Sequence, residues 1–219
     1  MAPMPTRRQV LLNILSTPFA ASVVEHAREP VRAQLKILSE PHCLSEESAN
    51  GFQLLVTRNG LASNARLPKV IIAPGARQLS RQAAEKLLQE VLRGTWLILE
   101  SGLCFMSPKQ AAGQVGLMRD VFGLEVQNTL LSPDGYIEYA WPLHRLVRDF
   151  SMFTPVKCLR TERIAEFGGV TVCTKRRIGR GGIIFLGSML GPGLLAEERE
   201  AHQVGSAMLE EIRKLSIDV

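Results

Sequence analysis

The fold is decided by the stretch KVIIAPG at residues 69–75. A continuous apolar run rich in β-branched residues and followed at once by Pro-Gly is typical of a strand buried on both faces of a parallel sheet. Ser80 then predicts the N-cap of a helix over residues 81–92, in which apolar residues recur at helical spacing and which Gly94 ends. A strand followed by such a helix is half of a βαβ crossover.

The same alternation continues along the chain. Residues 95–99 predict a second strand, and a helix is expected from Ser107-Pro108 to about Phe122, with Gly123 as its stop. Strand, helix, strand and helix in succession predict an α/β fold with a doubly wound, mostly parallel, flavodoxin-like sheet.

The flanking segments complete this architecture. Residues 52–56 form an apolar run that we interpret as a short buried strand. Residues 124–131 and 136–141 are each predicted to form a short extended segment. Residues 170–177 and 183–186 predict a hairpin that turns at 179–182. A last helix is expected over residues 196–215.

Three of these strands are expected to lie side by side at the centre of the sheet, with nearly all of their side chains buried. Short connections and the lack of internal repeats favour a single domain over residues 25–219. The predicted core consists of Val70, Ile71, Ile72, Leu97, Ile98, Leu99, Ile183, Ile184 and Phe185.

Composition excludes several classes of protein. With 46% hydrophobic and 21% charged residues, the 219-residue chain is an ordinary globular sequence rather than a disordered one. The formal net charge of +5 is a weak basic bias, and the densest basic run (Lys175, Arg176, Arg177 and Arg180) flanks a glycine-rich turn without interleaved aromatics, so we expect no nucleic-acid partner. The four cysteines form no CxxC pair, and we expect neither a metal nor another cofactor.

The N-terminus carries a distinct signal. Arg7 and Arg8 precede an uncharged stretch over residues 9–24 that contains the small residues Ala20, Ala21 and Ser22. This pattern resembles a twin-arginine export signal over residues 1–24 and predicts a periplasmic or exported protein that could attach peripherally to a membrane. The alternative is an N-terminal helix that packs on the domain of a cytoplasmic protein.

Two parts of the chain resemble a known superfamily. Residues 69–75 with 93–102, and residues 167–172 with 176–188, are similar to class I glutamine amidotransferase-like domains, in particular the domain through which family forty-two β-galactosidases form trimers. The resemblance implies an amidotransferase-like α/β domain that associates with another protein subunit or with further copies of itself.

Strand ends are where such a fold places a site. In open parallel sheets the functional crevice lies outside the carboxyl ends of the strands. We call the residues expected there the strand-end rim and predict that it binds a ligand or a partner. Its members are Pro74, Gly75, Glu100, Ser101, Gly102, Gly187 and Ser188.

Catalysis is not expected at this rim. The resemblance implies a cysteine nucleophile on a tight turn and a base from a His-Pro-Glu run, but the turn here reads ESGLC over residues 100–104, and Gly187-Ser188 stands at the His-Pro-Glu position. A serine or cysteine without a nearby base is a weak nucleophile. A non-catalytic interaction, assembly or ligand-binding module is therefore the preferred hypothesis. The alternative is a hydrolase that uses Ser101 or Cys104 with His144 as base and Glu100 as orienting group.

Overall fold

The structure is a computed structural model that describes residues 35–38, 46–59, 70–76, 79–103, 106–132, 135–150 and 152–217. Residues Ala33–Val219 form one compact unit. The export signal predicted for residues 1–24 and the cysteine at position 104 lie outside the described residues.

The architecture is α/β. The strands are β1 Leu35–Ile37, β2 Val70–Ala76, β3 Trp96–Ser101, β4 Glu125–Val126, β5 Leu130–Leu131, β6 Tyr136–Tyr139, β7 Arg145–Arg148, β8 Met152–Phe153, β9 Val156–Lys157, β10 Glu162–Phe167, β11 Val170–Ile178 and β12 Gly181–Leu186. Eight of them form one sheet with the order β1-β2-β3-β12-β11-β10-β6-β7. Two further pairs, β4 with β9 and β5 with β8, form small antiparallel ribbons.

The large sheet is mixed, which corrects the prediction of a doubly wound, mostly parallel sheet. Strands β1, β2, β3 and β12 are parallel to one another, whereas β11, β10, β6 and β7 continue the sheet by antiparallel pairing. The cause is the length of the connections. Strands β10 and β11 are joined by Gly168 and Gly169, with φ angles of 54° and 83°, and a two-residue turn can join only antiparallel neighbours.

Helices cover both faces of the parallel half. The first described helix, Glu46–Arg58, packs with the last helix on one face, and the helix that follows β2 packs on the other. The helices are α1 Glu46–Arg58, α2 Arg81–Leu92, α3 Pro108–Leu117 with a π-helical continuation Met118–Phe122, α4 Leu190–Leu195 and α5 Arg199–Ile217.

Helix α1 shows that the strand predicted at residues 52–56 is wrong. Phe52, Leu55 and Val56 are buried while Gln53 between them is exposed, which is the spacing of one helix face. Glu46 and Glu47 lie in the first turn, where carboxylates interact favourably with the helix dipole. The five-residue apolar run is therefore the buried stripe of a longer amphipathic helix.

The central strands agree with the prediction. Strands β2, β3 and β12 are adjacent, and each of the nine residues assigned to the core is at most 5% exposed. Their side chains alternate between two hydrophobic clusters: Ile72 and Ile98 face α1 and α5, whereas Ile71 and Leu97 face α2 and α3. The carboxyl ends of these strands form the strand-end rim.

Candidate functional site

All seven residues of the strand-end rim are buried. Pro74 and Gly75 lie within β2, Glu100 and Ser101 end β3, and Ser188 follows β12. The glycines let other backbone segments approach closely, but those segments belong to this chain. A Cβ atom on Gly102 would collide with the backbone of Gly75, and one on Gly187 would collide with the carbonyl oxygen of Thr154.

Glu100 is the central polar group of the rim and is 0% exposed. Its Oε2 accepts a hydrogen bond from the backbone N–H of Gly75 at 2.8 Å, and its Oε1 accepts one from the N–H of Gly191 at 2.7 Å. Gly75 has φ 49°, a left-handed conformation that glycine adopts without steric cost. The carboxyl group thereby connects the end of β2, the end of β3 and the start of α4.

Burial sets the protonation of this group. Desolvation raises the pKa of Glu100 from 4.5 to about 7, and hydrogen bonds from Gly191, the Ser48 hydroxyl and Gly75 oppose the rise. Near neutral pH the group therefore exchanges between its acid and its carboxylate form. In the hydrolase alternative Glu100 would orient His144, whereas the hydrogen bonds that its carboxyl oxygens accept here come from Gly75, Gly191 and Ser48.

Ser101 belongs to a chain of hydroxyl groups. Its Oγ lies 2.9 Å from Oγ1 of Thr154, which in turn lies 3.1 Å from Oγ1 of Thr129. Its other hydrogen bond within the described residues comes from the backbone N–H of Leu103 at 3.4 Å. None of these partners can accept the serine proton as a general base at neutral pH.

Ser188 has different neighbours from Ser101. Its Oγ lies 3.0 Å from the hydroxyl of Tyr139 and 3.5 Å from Sγ of Cys173. Desolvation raises the pKa values of both Tyr139 and Cys173, so the phenol and the thiol stay protonated. The cluster is a neutral, buried hydrogen-bond network that closes the end of β12 against β6 and β11.

The segment after β8 covers the rim. The backbone N–H of Thr154 donates to the carbonyl of Gly187 at 2.7 Å, while the Thr154 side chain contacts Ser101. The hydrolase alternative requires His144 at this place. The residue that occupies it is Thr154, which no sequence motif singles out.

His144 lies elsewhere, in what we call the edge cleft. This cavity of about 760 Å³ is bounded by β6, β7 and the start of α5. His144 is exposed there, and its backbone carbonyl accepts a hydrogen bond from Arg145 at 2.8 Å. The structure thus brings Ser101 together with Thr154 and places His144 among charged residues of the sheet edge. The other residues that line the edge cleft are Tyr136, Glu138, Tyr139, Arg145, Leu146, Arg148, Glu198 and Glu200.

Two other kinds of feature, a metal cluster and a membrane-spanning helix, are absent from the described residues. Within that part of the chain no three His, Cys, Asp or Glu side chains are grouped so that they could hold a metal ion. None of the described helices combines the length and the apolar character that a membrane span requires.

Comparison with known proteins supports the fold alone. The sequence matches no protein-family model and no curated protein. The structure resembles a cold-adapted β-galactosidase from Rahnella sp. R3 with a TM-score of 0.61 at 14% identity, over 84% of this chain and 32% of that one. A GH42 β-galactosidase from G. stearothermophilus matches with a TM-score of 0.58 at 14% identity, and the match covers 88% of this chain and 31% of that one.

Another glycosidase contains the same fold. The α-L-fucosidase isoenzyme 2 from Paenibacillus thiaminolyticus matches with a TM-score of 0.59 at 8% identity, over 84% of this chain and 33% of that one. This chain therefore spans about a third of the length of these enzymes. The similarity to GH42 chains is consistent with the resemblance drawn from the sequence.

Proposed function

We propose that this protein is a non-catalytic, amidotransferase-like accessory domain that acts by binding another subunit or a ligand. The observation that carries the proposal is that the polar groups of the rim form hydrogen bonds with other groups of the same chain. Glu100 accepts hydrogen bonds from two backbone N–H groups, and Ser101 and Ser188 each bond to neighbouring hydroxyls. A hydroxyl without a base in hydrogen-bond reach has little nucleophilic power.

The likeness to a part of several glycosidases also supports an accessory role. The chain corresponds in length to about a third of those enzymes. We propose that it acts by association, as a subunit of a homo-oligomer or of a larger complex.

The decisive experiment is labelling with a serine-reactive fluorophosphonate and with iodoacetamide, read by peptide mass spectrometry. We expect no stoichiometric fluorophosphonate label at Ser101, because no described side chain activates it, and we expect any iodoacetamide label at Cys104 to be the same in His144→Ala as in the unaltered chain. Cys158 is exposed and serves as the internal positive control for the thiol reagent. Stoichiometric labelling at Ser101 or Cys104 that is lost in His144→Ala would establish a hydrolase and overturn the proposal.

We also propose export, on the strength of the paired arginines at positions 7 and 8. Protein recovered from its source is then expected to lack roughly its first 20 to 25 residues. Intact-mass measurement checks this expectation. A mass near the full 24.2 kDa would instead favour an N-terminal segment that is retained by a cytoplasmic protein.

A further inference from the structure

Strand β7 is the last strand of the large sheet, so one of its two edges has no strand beside it within the described residues. The hydrogen-bonding pattern identifies the backbone groups on that edge. The backbone N–H of Asp149 donates to the carbonyl of Gly135, and in an antiparallel ladder the residues that bond to the neighbouring strand alternate. Residues 145 and 147 therefore bond to β6, whereas the N–H and C=O groups of Leu146 and Arg148 point outward.

The ladder on the other side of β6 leads to the same assignment. The backbone N–H of Ala140 donates to the carbonyl of Ile164, so residue 138 bonds towards β10, and residues 137 and 139 bond towards β7. Both ladders thus place the backbone groups of Leu146 and Arg148 on the outer edge. Unpaired N–H and C=O groups on such an edge are a template for a further strand.

The side chains beside this edge are exposed and include two large apolar ones. Ile137 and Val147 pack in the hydrophobic cluster that contains residues of α5, so strand alternation places Tyr136, Leu146 and Arg148 on the opposite face. Tyr136 is 58% exposed and Leu146 is 57% exposed. The edge cleft of about 760 Å³ lies against these two strands and leaves the edge accessible.

A second copy of the chain can pair with this edge in a register that uses every outward group. When two β7 strands run antiparallel about a two-fold axis at Val147, Leu146 lies opposite the partner's Arg148, and Arg148 lies opposite the partner's Leu146. Both are hydrogen-bonded pairs, so all the outward N–H and C=O groups gain partners. An axis at Leu146 would pair that residue with its own copy and leave Arg148 opposite the partner's His144, which precedes the strand.

The side chains are also complementary in this register. On the exposed face Leu146 lies between Glu138 of its own chain and the partner's Arg148. The aliphatic part of that arginine covers Leu146, and Glu138 is two strand spacings away, about 10 Å between Cα atoms, within reach of the guanidinium group. Charged side chains on an edge strand oppose pairing when they lack a counter-charge, and here the second copy supplies one.

We propose that β7 is the interface of a two-fold homodimer, in which the β7 strands of two copies pair antiparallel about Val147 and join their sheets. The inference names the surface and the partner for the association proposed above, and it rests on that proposal. Carboxylates and guanidinium groups both line the edge cleft, so two copies do not present surfaces of one sign to each other. Because β7 has only 4 residues, the interface is small and the dimer should dissociate on dilution.

Sedimentation velocity of the full chain over a concentration series tests the proposal, and a reversible equilibrium between monomer and dimer is expected. Leu146→Lys places a cation opposite the partner's Arg148, and the symmetry repeats this pair, so the dimer should be weaker by about tenfold. The new side chain lies opposite Glu138 of its own chain, so the fold should be retained, which circular dichroism and thermal unfolding verify.

Two further variants make the test specific for the surface and for the register. Leu159→Lys changes a leucine that is 66% exposed in the connection between β9 and β10, and it should leave the dimer unchanged. Leu146→Glu places an anion opposite the partner's Arg148, so its dimer should be about tenfold tighter than that of Leu146→Lys.

Three results would overturn the two-fold pairing at β7: a monomer at every concentration, a trimer, or a dimer that Leu146→Lys and Leu159→Lys weaken equally or not at all. Equal affinities in Leu146→Glu and Leu146→Lys would overturn the register about Val147. A chain that associates through another surface would keep the association proposed above and lose only the β7 interface. The labelling of Ser101 tests the absence of catalysis separately.

Discussion

Raising the pH from about 4 to about 8 is expected to lower the free energy of unfolding by about 3 kcal/mol through Glu100 alone. In the folded chain burial raises the pKa of this carboxyl from 4.5 to about 7. Between these two values the unfolded chain releases the proton while the folded chain retains it, so the unfolded state gains stability. Below pH 4.5 both states are protonated, and above about pH 7 both are ionised, so the effect is confined to this window.

The magnitude follows from the size of the shift. The difference between about 7 and 4.5 is about 2.5 pKa units, and each unit corresponds to about 1.4 kcal/mol. Urea unfolding at a series of pH values measures it. The hydrogen bonds from Gly191 and Gly75 favour the carboxylate and lower the pKa, and the shift to about 7 already includes their effect.

Glu100→Gln is the control that isolates this group. The amide does not titrate, so the difference in unfolding free energy between the unaltered chain and the variant should fall across the same pH window. A difference that stays constant from about pH 4 to about pH 8 would mean that Glu100 ionises alike in both states, and the predicted loss of stability with rising pH would be wrong.

The parallel strands at the centre of the sheet could be predicted because the sequence features that specify them are local. The β-branched run ending in Pro-Gly, the N-cap at Ser80 and the glycine stops each act over a few residues, and the structure contains the corresponding strands and helices. Ser80 does accept a hydrogen bond from the backbone N–H of Ala83, as an N-cap residue should. Short-range steric and hydrogen-bonding preferences therefore determined this part of the fold.

Two elements could not be read correctly for a different reason. The apolar run at residues 52–56 has the length of a buried strand, and only the exposed Gln53 within it distinguishes the helix. Strand β1 has just three residues, Leu35–Ile37, and is identified by its pairing with β2. Short apolar segments acquire their secondary structure from tertiary contacts, which the sequence does not display.

The rim illustrates the same limit for function. Sequence patterns located the strand ends, since glycine, serine and glutamate follow apolar strands there. Whether such a rim is open depends on contacts between distant segments, such as that of Thr154 with Ser101 and that of Gly191 with Glu100. Those contacts turn polar groups that could serve a ligand into supports of the fold.

Two helical glycines are expected to respond to alanine with opposite signs. Gly51 lies in α1, where an added Cβ would collide with the backbone carbonyl of Gly191 and lie 3.0 Å from the backbone N of Leu195. Because α4 cannot retreat without disturbing the Glu100 hydrogen bond, Gly51→Ala should lower the free energy of unfolding by about 3 kcal/mol. Gly113 lies in α3 with no atom within 4 Å of the added Cβ.

At Gly113 only the backbone entropy changes, so Gly113→Ala should raise the free energy of unfolding by about 0.5 to 1 kcal/mol. Urea unfolding of both variants at one pH gives the comparison directly. The two substitutions add the same methyl group and the same gain in helix propensity, and their difference therefore measures the contact between α1 and α4. If Gly51→Ala proved as stabilising as Gly113→Ala, α1 and α4 could not be in backbone contact, and the placement of Gly191, whose N–H donates to Glu100 in the rim, would be wrong.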